Sequence, residues 1–423
     1  MLQINRIKED PKTIIERLAI KQLDATAVVE KIIALDEKRR HTQKTLDDNL
    51  SESNILAKEI GLLYKTGKKE AAEPLKVQTS NLKLVNKELT DLLDRTEKEL
   101  HQQLLLLPNL PHKDVPAGRN DTDNVVISEH GILPQLSDNA LPHWELASRY
   151  HIIDFETGAK VSGAGFPFYV GKGAKLQRAL ISFFLDAATD SGYTEYQTPL
   201  MVNEASGYGT GQLPDKDGQM YHVTNDNLYL IPTAEVPLTN IFRGNMLKES
   251  DLPIKITAYS ACFRREAGSY GKEVRGLNRL HQFDKVEIVQ IVDPEKSYEV
   301  LEEMKSYIAS LLDALELPYR IVKLCGGDLS FTAALTYDFE VFSAAQQRWL
   351  EVSSVSNFED FQANRMKLRF KNSNNKSHPV HTLNGSALAL PRILAALLEN
   401  NQNSYGISIP KILVPYTKFN MIS

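Results

Sequence analysis

The chain has 423 residues, 42% hydrophobic and 24% charged, with a formal net charge of -5; that is enough for two or three domains with a sizeable core. The charge excludes a general positive field, so any nucleic-acid contact must come from local basic patches. Cys262 and Cys325 are the only cysteines, which disfavours a disulfide framework and a thiolate zinc site, and no apolar run approaches the ~18 residues of a membrane span or forms a leader. A cytoplasmic protein with no membrane partner is expected.

From residue 25 to 64, steps of three and four pick out Val28, Ile32, Leu35, Arg39, Thr42, Leu46, Asn49, Ser53, Leu56, Ile60 and Leu63, a coiled-coil seam with a polar middle. Gly61, Gly67 and Pro74 punctuate the pattern, and Leu75, Leu82, Val85, Leu89, Leu92, Leu100 and Leu104 restore it. Two long helices joined by a short loop pack antiparallel. Arg39, Arg40 and Lys44 lie in a basic cluster on the first helix, and Lys65, Lys68 and Lys69 crowd the tip. Such clusters are read either as solvated faces or as an RNA grip.

Pro108, Pro111 and Pro116 stop the second helix, placing a domain boundary between residues 110 and 111. Beyond it, residues 173–189 carry a core-facing helical pattern, and residues 192–202 read as a strand with Pro199 at its edge or end. A glycine-rich loop, residues 207–223, and the stretch 228–242 come next. Residues 255–292 then hold the densest ionisable chemistry on a strand framework, with Gly268, Gly271 and Gly276 marking the loop of a long antiparallel hairpin. Alternation puts Arg264 with Glu266 on one side, and Phe283, Lys285 and Glu287 together on the return strand. If these sides coincide the hairpin is a charged floor for a charged ligand; otherwise it is a solvated, salt-bridged hairpin. An amphipathic helix over 294–315 is expected next, then strands near 319–324, 337–342 and 349–355, and a helix over 391–400. Strands arriving mostly as hairpins, with helices between, indicate an α+β fold on an antiparallel sheet.

General catalytic signatures fail. Residues 165–173 miss the Walker A spacing, Gln212 stands where a dinucleotide fingerprint needs its last glycine, His378 and His381 lack companion ligands, and nothing reads as a Ser-His-Asp triad.

GYTEYQTP (192–199), FRREAG with RGLNRLHQFDKVE (263–268 and 275–287) and NGSALALPR (384–392) resemble the three signatures of class II aminoacyl-tRNA synthetases. Their wording is that of seryl-tRNA synthetases, as are LLLLPNLPHKDVP, GTGQLP, IPTAEVPLTN, EVSSVSNFEDFQANRMKLR and ILVPY, in order along nearly the whole chain. The resemblance implies a tRNA-binding helical coiled-coil hairpin over 1–110 and a homodimeric class II catalytic domain over 111–423. It implies a ligase that activates L-serine with ATP and passes the seryl group to the 3′ end of serine tRNA, and leaves open whether selenocysteine tRNA is also served. By the same matches Arg264 meets the α-phosphate, Glu266 the adenine amino group, Phe283 the adenine face, Arg392 its other face and the γ-phosphate, and Arg279 a further phosphate. Arg265, Leu280, Val352 and Ser353 line the ATP site, and Glu351 and Ser354 hold Mg²⁺, for which oxygen donors have the right hardness. Thr233, Ala234, Glu235, Lys285, Glu287, Asn384 and Ser386 surround serine. The chain departs from the usual family residues at Arg265, Gly326, Leu335, Phe342 and Pro391; Pro391 is tolerable if it opens the last helix.

Overall fold

Helix periodicity in the first hundred residues folds into two long antiparallel helices preceded by two short ones. The computed structural model describes residues 1–137, 139–215, 218–266 and 275–423; Gly268 and Gly271 of the hairpin loop, and Lys216 and Asp217 of the glycine-rich loop, lie outside them. The chain forms two compact units, Met1–Pro108 and Asn109–Ser423.

In the first unit, α1 (Ile4–Glu9) and α2 (Pro11–Ile20) precede α3 (Thr26–Lys65) and α4 (Lys69–Leu104). Lys31 pairs with Glu99 at 2.8 Å and Gln78 with Glu52 at 2.8 Å, which sets the antiparallel register. Every seam position named on α3 is buried or half-buried. On α4 one expected position differs: Val85 is exposed, whereas Leu75, Leu82, Leu89, Leu92, Leu100 and Leu104 are buried or half-buried, joined by Thr79, Asn86, Leu93 and Thr96. Polar residues occupy several inward positions, so the apolar signal had moved to a neighbouring residue. Nor do all the punctuating residues break helix. Only residues 66–68 form the turn, with Gly67 at φ +76, whereas Gly61 lies within α3 and Pro74 within α4. Arg39 sits half-buried in the seam, bonding the buried Asp36 at 2.8 Å beside Lys8 at 2.7 Å. This hub ties α1 to α3.

The second unit is built on an eight-stranded sheet. Its strands in chain order are β1 (Val125–His130), β2 (Thr194–Glu195), β3 (Ile254–Phe263), β4 (Gln282–Val292), β5 (Tyr319–Lys323), β6 (Leu335–Ser343), β7 (Arg348–Asn357) and β8 (His381–Ala389). They lie side by side as β1-β5-β6-β7-β8-β4-β3-β2, all antiparallel except the β2/β3 edge pair. The stretch 192–202 does not form one strand: β2 ends at Glu195, Pro199 follows in irregular chain, and Met201–Asn203 joins a separate three-stranded sheet.

Helices placed about the sheet include α5 (His143–Arg149), α6 (Lys172–Asp190), α7 (Glu235–Asn240), α8 (Ser297–Ala314) and α9 (Leu390–Asn400). Pro391 sits in the first turn of α9, where its missing N–H is harmless. β8 carries no alternating pattern because both its faces are covered. Gly385 lies where a Cβ would meet Val355 at 3.2 Å and Ile288 and Met304 at 3.5 Å, so this face belongs to the core under α8. Ser386 and Asn384 therefore point to the opposite face. Gly327 is equally constrained, since a Cβ there would lie 2.3 Å from the Arg119 carbonyl oxygen. No described helix is long and apolar enough to cross a membrane.

Candidate active site

The central hairpin forms as expected, with Phe263 opposite Gln282 and Ile254 opposite Ile291. On its other side β4 pairs with β8, placing Glu287 opposite Ser386 and Val289 opposite Asn384. These registers bring the serine candidates together. Glu287, completely buried, meets the Lys285 Nζ at 2.7 Å. It also accepts from Thr233 Oγ1 at 3.2 Å and from Asn384 Nδ2 at 2.9 Å. Ala234 is buried at the start of α7, whose first residue, Glu235, accepts from Gln362 Nε2 at 2.7 Å. Burial first, then the neighbouring Glu287 charge, pushes the Glu235 carboxyl up to about 7. Burial pushes Glu287 up as well, with Lys285 acting against it. Two buried acids thus share one adjacent ammonium, and a cationic ligand would relieve both. Ser386 is a strand residue opposite Glu287.

The phosphate candidates come from the chain after β3, the chain before β4 and the first turn of α9. Strand alternation does not explain Arg264 and Glu266, because β3 ends at Phe263 and Glu266 has φ +48, in the left-handed region. Arg264 instead donates its backbone N–H to the His281 carbonyl at 2.9 Å and lays its guanidinium 5.2 Å from the centre of the Phe283 ring. Glu266 pairs with Arg279. Arg392 donates Nη1 to the Glu351 carbonyl at 2.7 Å and Nε to the Asn278 carbonyl at 3.1 Å. Arg265 is exposed, with its backbone N–H bonded to Gln219. Leu280 and Val352 are buried, and Ser353 gives its hydroxyl to the Ser386 carbonyl at 2.6 Å.

A register shift between β6 and β7 has a chemical consequence. Phe339 faces Ser353 but Glu340 faces Glu351, so Val352 is an extra residue. Without that bulge Glu351 and Ser354 would point to opposite faces; with it they share one, beside Asp338. Ser354 donates to Asp338 Oδ1 at 2.6 Å. Burial, then the Glu351 charge, holds the Asp338 carboxyl well above its ordinary range. This all-oxygen donor set with excess negative charge fits a hard divalent cation.

Sequence reasoning missed Gln362, Asp338, His143 and Glu399. Gln362 and Asp338 lie in strand-helix stretches where burial alone gives them their neighbours, and His143 and Glu399 are separated by more than half the chain. The expected absence of a Ser-His-Asp arrangement needs one refinement: Ser343, Glu399 and His143 do meet, but the serine donates to the carboxylate and not to the imidazole, so no nucleophile is activated.

Residues 221–401, which hold the central strands of this antiparallel sheet, match the tRNA synthetase class II core domain of the G, H, P, S and T enzymes. Residues 1–111 match the seryl-tRNA synthetase N-terminal domain. The serine–tRNA ligase of Salinibacter ruber is 50% identical over 100% of this chain and 99% of its own. The crystal structure of seryl-tRNA synthetase from Pyrococcus horikoshii complexed with ATP superposes with a TM-score of 0.93 at 34% identity, covering 100% of this chain and 99% of that one. The cytoplasmic serine–tRNA ligase of Naegleria fowleri in complex with AMP gives 0.88 at 28%, with the same coverage. The chain belongs to the seryl-tRNA synthetase family.

Proposed function

We propose that this protein activates L-serine with ATP and transfers the seryl group to serine tRNA, working as a cytoplasmic homodimer. The observation that carries the reading is the buried Glu287, bonded by Thr233 and Asn384 and paired with Lys285, next to a second buried acid, Glu235. Such a set suits a small ligand with an ammonium and a hydroxyl. Glu235 and Thr233 take the ammonium, and Glu287 reads the hydroxyl and the ammonium. The serine carboxylate oxygen then forms a bond to the α-phosphorus while the bond to the pyrophosphate oxygen breaks, and no side chain serves as nucleophile. Arg264 steadies the α-phosphate and Arg279 and Arg392 the outer phosphates, Arg279 giving up Glu266 and Arg392 the Glu351 carbonyl while its Nε keeps the Asn278 carbonyl. This is catalysis by positioning and charge. Glu351 and Ser354 would hold Mg²⁺, which when bound neutralises phosphate charge; Asp338 orients the Ser354 hydroxyl. A ribose hydroxyl of the terminal adenosine finally takes the seryl group from AMP.

An ammonium binds the ionised form of Glu235, and acid protonates it. A group with its free-protein pKa near 7 should therefore weaken serine binding about tenfold between pH 8 and pH 6 and little above pH 8. Calorimetry in the presence of a non-reactive ATP analogue measures this, and Glu235→Gln should flatten the dependence. A wild-type affinity constant across that window contradicts the assignment.

The long hairpin is the tRNA grip in this reading, recognising the shape of a long variable arm. Because Lys31 faces Glu99 and Glu52 faces Gln78, residues 50 and 80 lie opposite, and a short Gly/Ser turn can replace the chain between them while sparing the Asp36 hub. The truncated protein should keep seryl-adenylate formation within a few fold and lose most tRNA charging. Arg39 is unsuitable for neutralisation because it balances Asp36 at 2.8 Å, whereas the exposed Arg40 stands 3.8 Å from the same carboxylate. Removing the exposed charges of Arg40 and Lys44 should weaken tRNA binding and flatten its salt dependence by about one log unit per lost phosphate contact. Normal charging by the truncated chain refutes the tRNA role of the hairpin.

A further inference from the structure

Arg392 and Glu399 lie on one helix, α9, about two turns apart, and both hold the short segment 276–278 by separate routes. Arg392 does so directly, through the Asn278 carbonyl. Glu399 does so through His143, whose side chain is completely buried. Glu399 Oε1 accepts from the His143 backbone N–H at 2.9 Å and meets Nδ1 at 2.7 Å, while His143 Nε2 lies 2.8 Å from the Leu277 backbone nitrogen. An amide can only donate, so Nε2 is the unprotonated nitrogen, and Nδ1 carries the proton that it gives to Glu399. Although burial pushes the Glu399 carboxyl up, His143 and Ser343 hold it below its ordinary range. Gln346 closes the ring: its Nε2 donates to Glu399 Oε1 at 2.9 Å, and its Oε1 accepts from Asn278 Nδ2 at 3.0 Å.

Gly276 shows independently how tightly the segment presses on the imidazole. Its φ is +68, and a Cβ there would lie 2.3 Å from His143 Nε2. The segment leads directly into Arg279.

We propose that His143 is a positioning residue for the nucleotide site: aimed by Glu399, its Nε2 fixes the Leu277 amide, so that the Asn278 carbonyl seats Arg392 and the adjoining Arg279 faces the phosphates. This rests on the ATP reading of Arg392 and Arg279 given above. His143 touches no part of the Glu287 cluster among the contacts of the described residues, so its influence falls on ATP and not on serine.

Two replacements of similar length separate the roles of the ring nitrogens. His143→Asn keeps a donor near the Nδ1 position and loses the acceptor for Leu277; His143→Gln can place an oxygen near Nε2. In serine-dependent ATP–pyrophosphate exchange, normalised to titrated active sites, H143N should raise the KM for ATP about tenfold and lower kcat, as small misplacements of a reacting geometry do. Its KM for serine should stay within about twofold of wild type, with H143Q closer to wild type in ATP use. If H143N only lowers the titrated fraction, with both KM values unchanged and H143Q no better, the role is structural and the inference falls.

Arg392→Ala, run in parallel, distinguishes the two levels of the argument. Wild-type ATP use by R392A overturns the nucleotide reading itself, whereas loss in R392A with wild-type behaviour in H143N overturns only the positioning role. Should H143N not fold, Gln346→Met at a half-buried position cuts the link to Asn278; a rise of about threefold in the ATP KM with unchanged serine KM supports the inference, and an unchanged ATP KM overturns it.

Discussion

Replacing Glu287 with alanine is expected to lower kcat/KM for serine by about 10²- to 10³-fold, the scale for truncating one partner of a buried, hydrogen-bonded charge pair, while ATP affinity stays close to wild type. Glu287 is the point where strand β4, strand β8 and the loop before α7 converge on one carboxylate. Its removal leaves Thr233 and Asn384 without their acceptor and Lys285 without the partner it meets at 2.7 Å, which costs about 3–5 kcal/mol in stability. Glu287→Gln is therefore the sharper variant, since it keeps the volume and one acceptor and removes only the charge. Exchange kinetics at varied serine, read beside thermal melting, separate the two effects. A folded Glu287→Gln enzyme with serine kinetics within a few fold of wild type would remove Glu287 from substrate reading.

Arg264→Ala is expected to slow adenylate formation by about 10²-fold or more, as losing one charged transition-state contact does. The guanidinium lies against Phe283 and is close enough to lower the carboxyl pKa of both Glu235 and Glu287. It therefore stands between Phe283 and the Glu287 pocket, which in the proposed function is where the α-phosphate sits. Arg264→Lys should recover only part of the loss, because an ammonium keeps the charge but not the planar fork that spans two phosphate oxygens. Single-turnover formation of the adenylate measures this directly; a rate for Arg264→Ala near that of wild type contradicts the assignment.

The hairpin that carries the candidate site was legible from local pattern, which left open whether it was a charged floor or a solvated surface; the individual residues came from the resemblance of the motifs. The strands flanking Arg264 and Glu287 announce themselves through β-branched and aromatic residues, and the helical hairpin through its three-four spacing. What stayed hidden depends on contacts that no local pattern encodes. β8 is buried on both faces and holds Gly385 because Met304, Ile288 and Val355 crowd it, so it carries none of the alternation by which strands are recognised. On α4 the half-buried Asn86 takes the inward place expected of Val85, a polar residue where the apolar spacing points to its neighbour. Glu351 and Ser354 share a face only through the bulge at Val352, and a bulge shows in register, not in composition. His143 and Glu399 come from opposite ends of the catalytic unit, and neither has a neighbour in sequence that hints at the other.

The central claim is that the buried Glu287 pocket admits serine to an ATP site on the same sheet. It is tested most directly by the exchange of labelled pyrophosphate into ATP without tRNA, with serine, alanine and threonine at matched concentrations. Serine should support exchange; alanine, lacking the hydroxyl that Glu287 pairs with, should fall behind by up to about 10⁴-fold, and threonine should be rejected by its extra methyl group. Equal exchange with alanine and serine, or none with serine, contradicts the account.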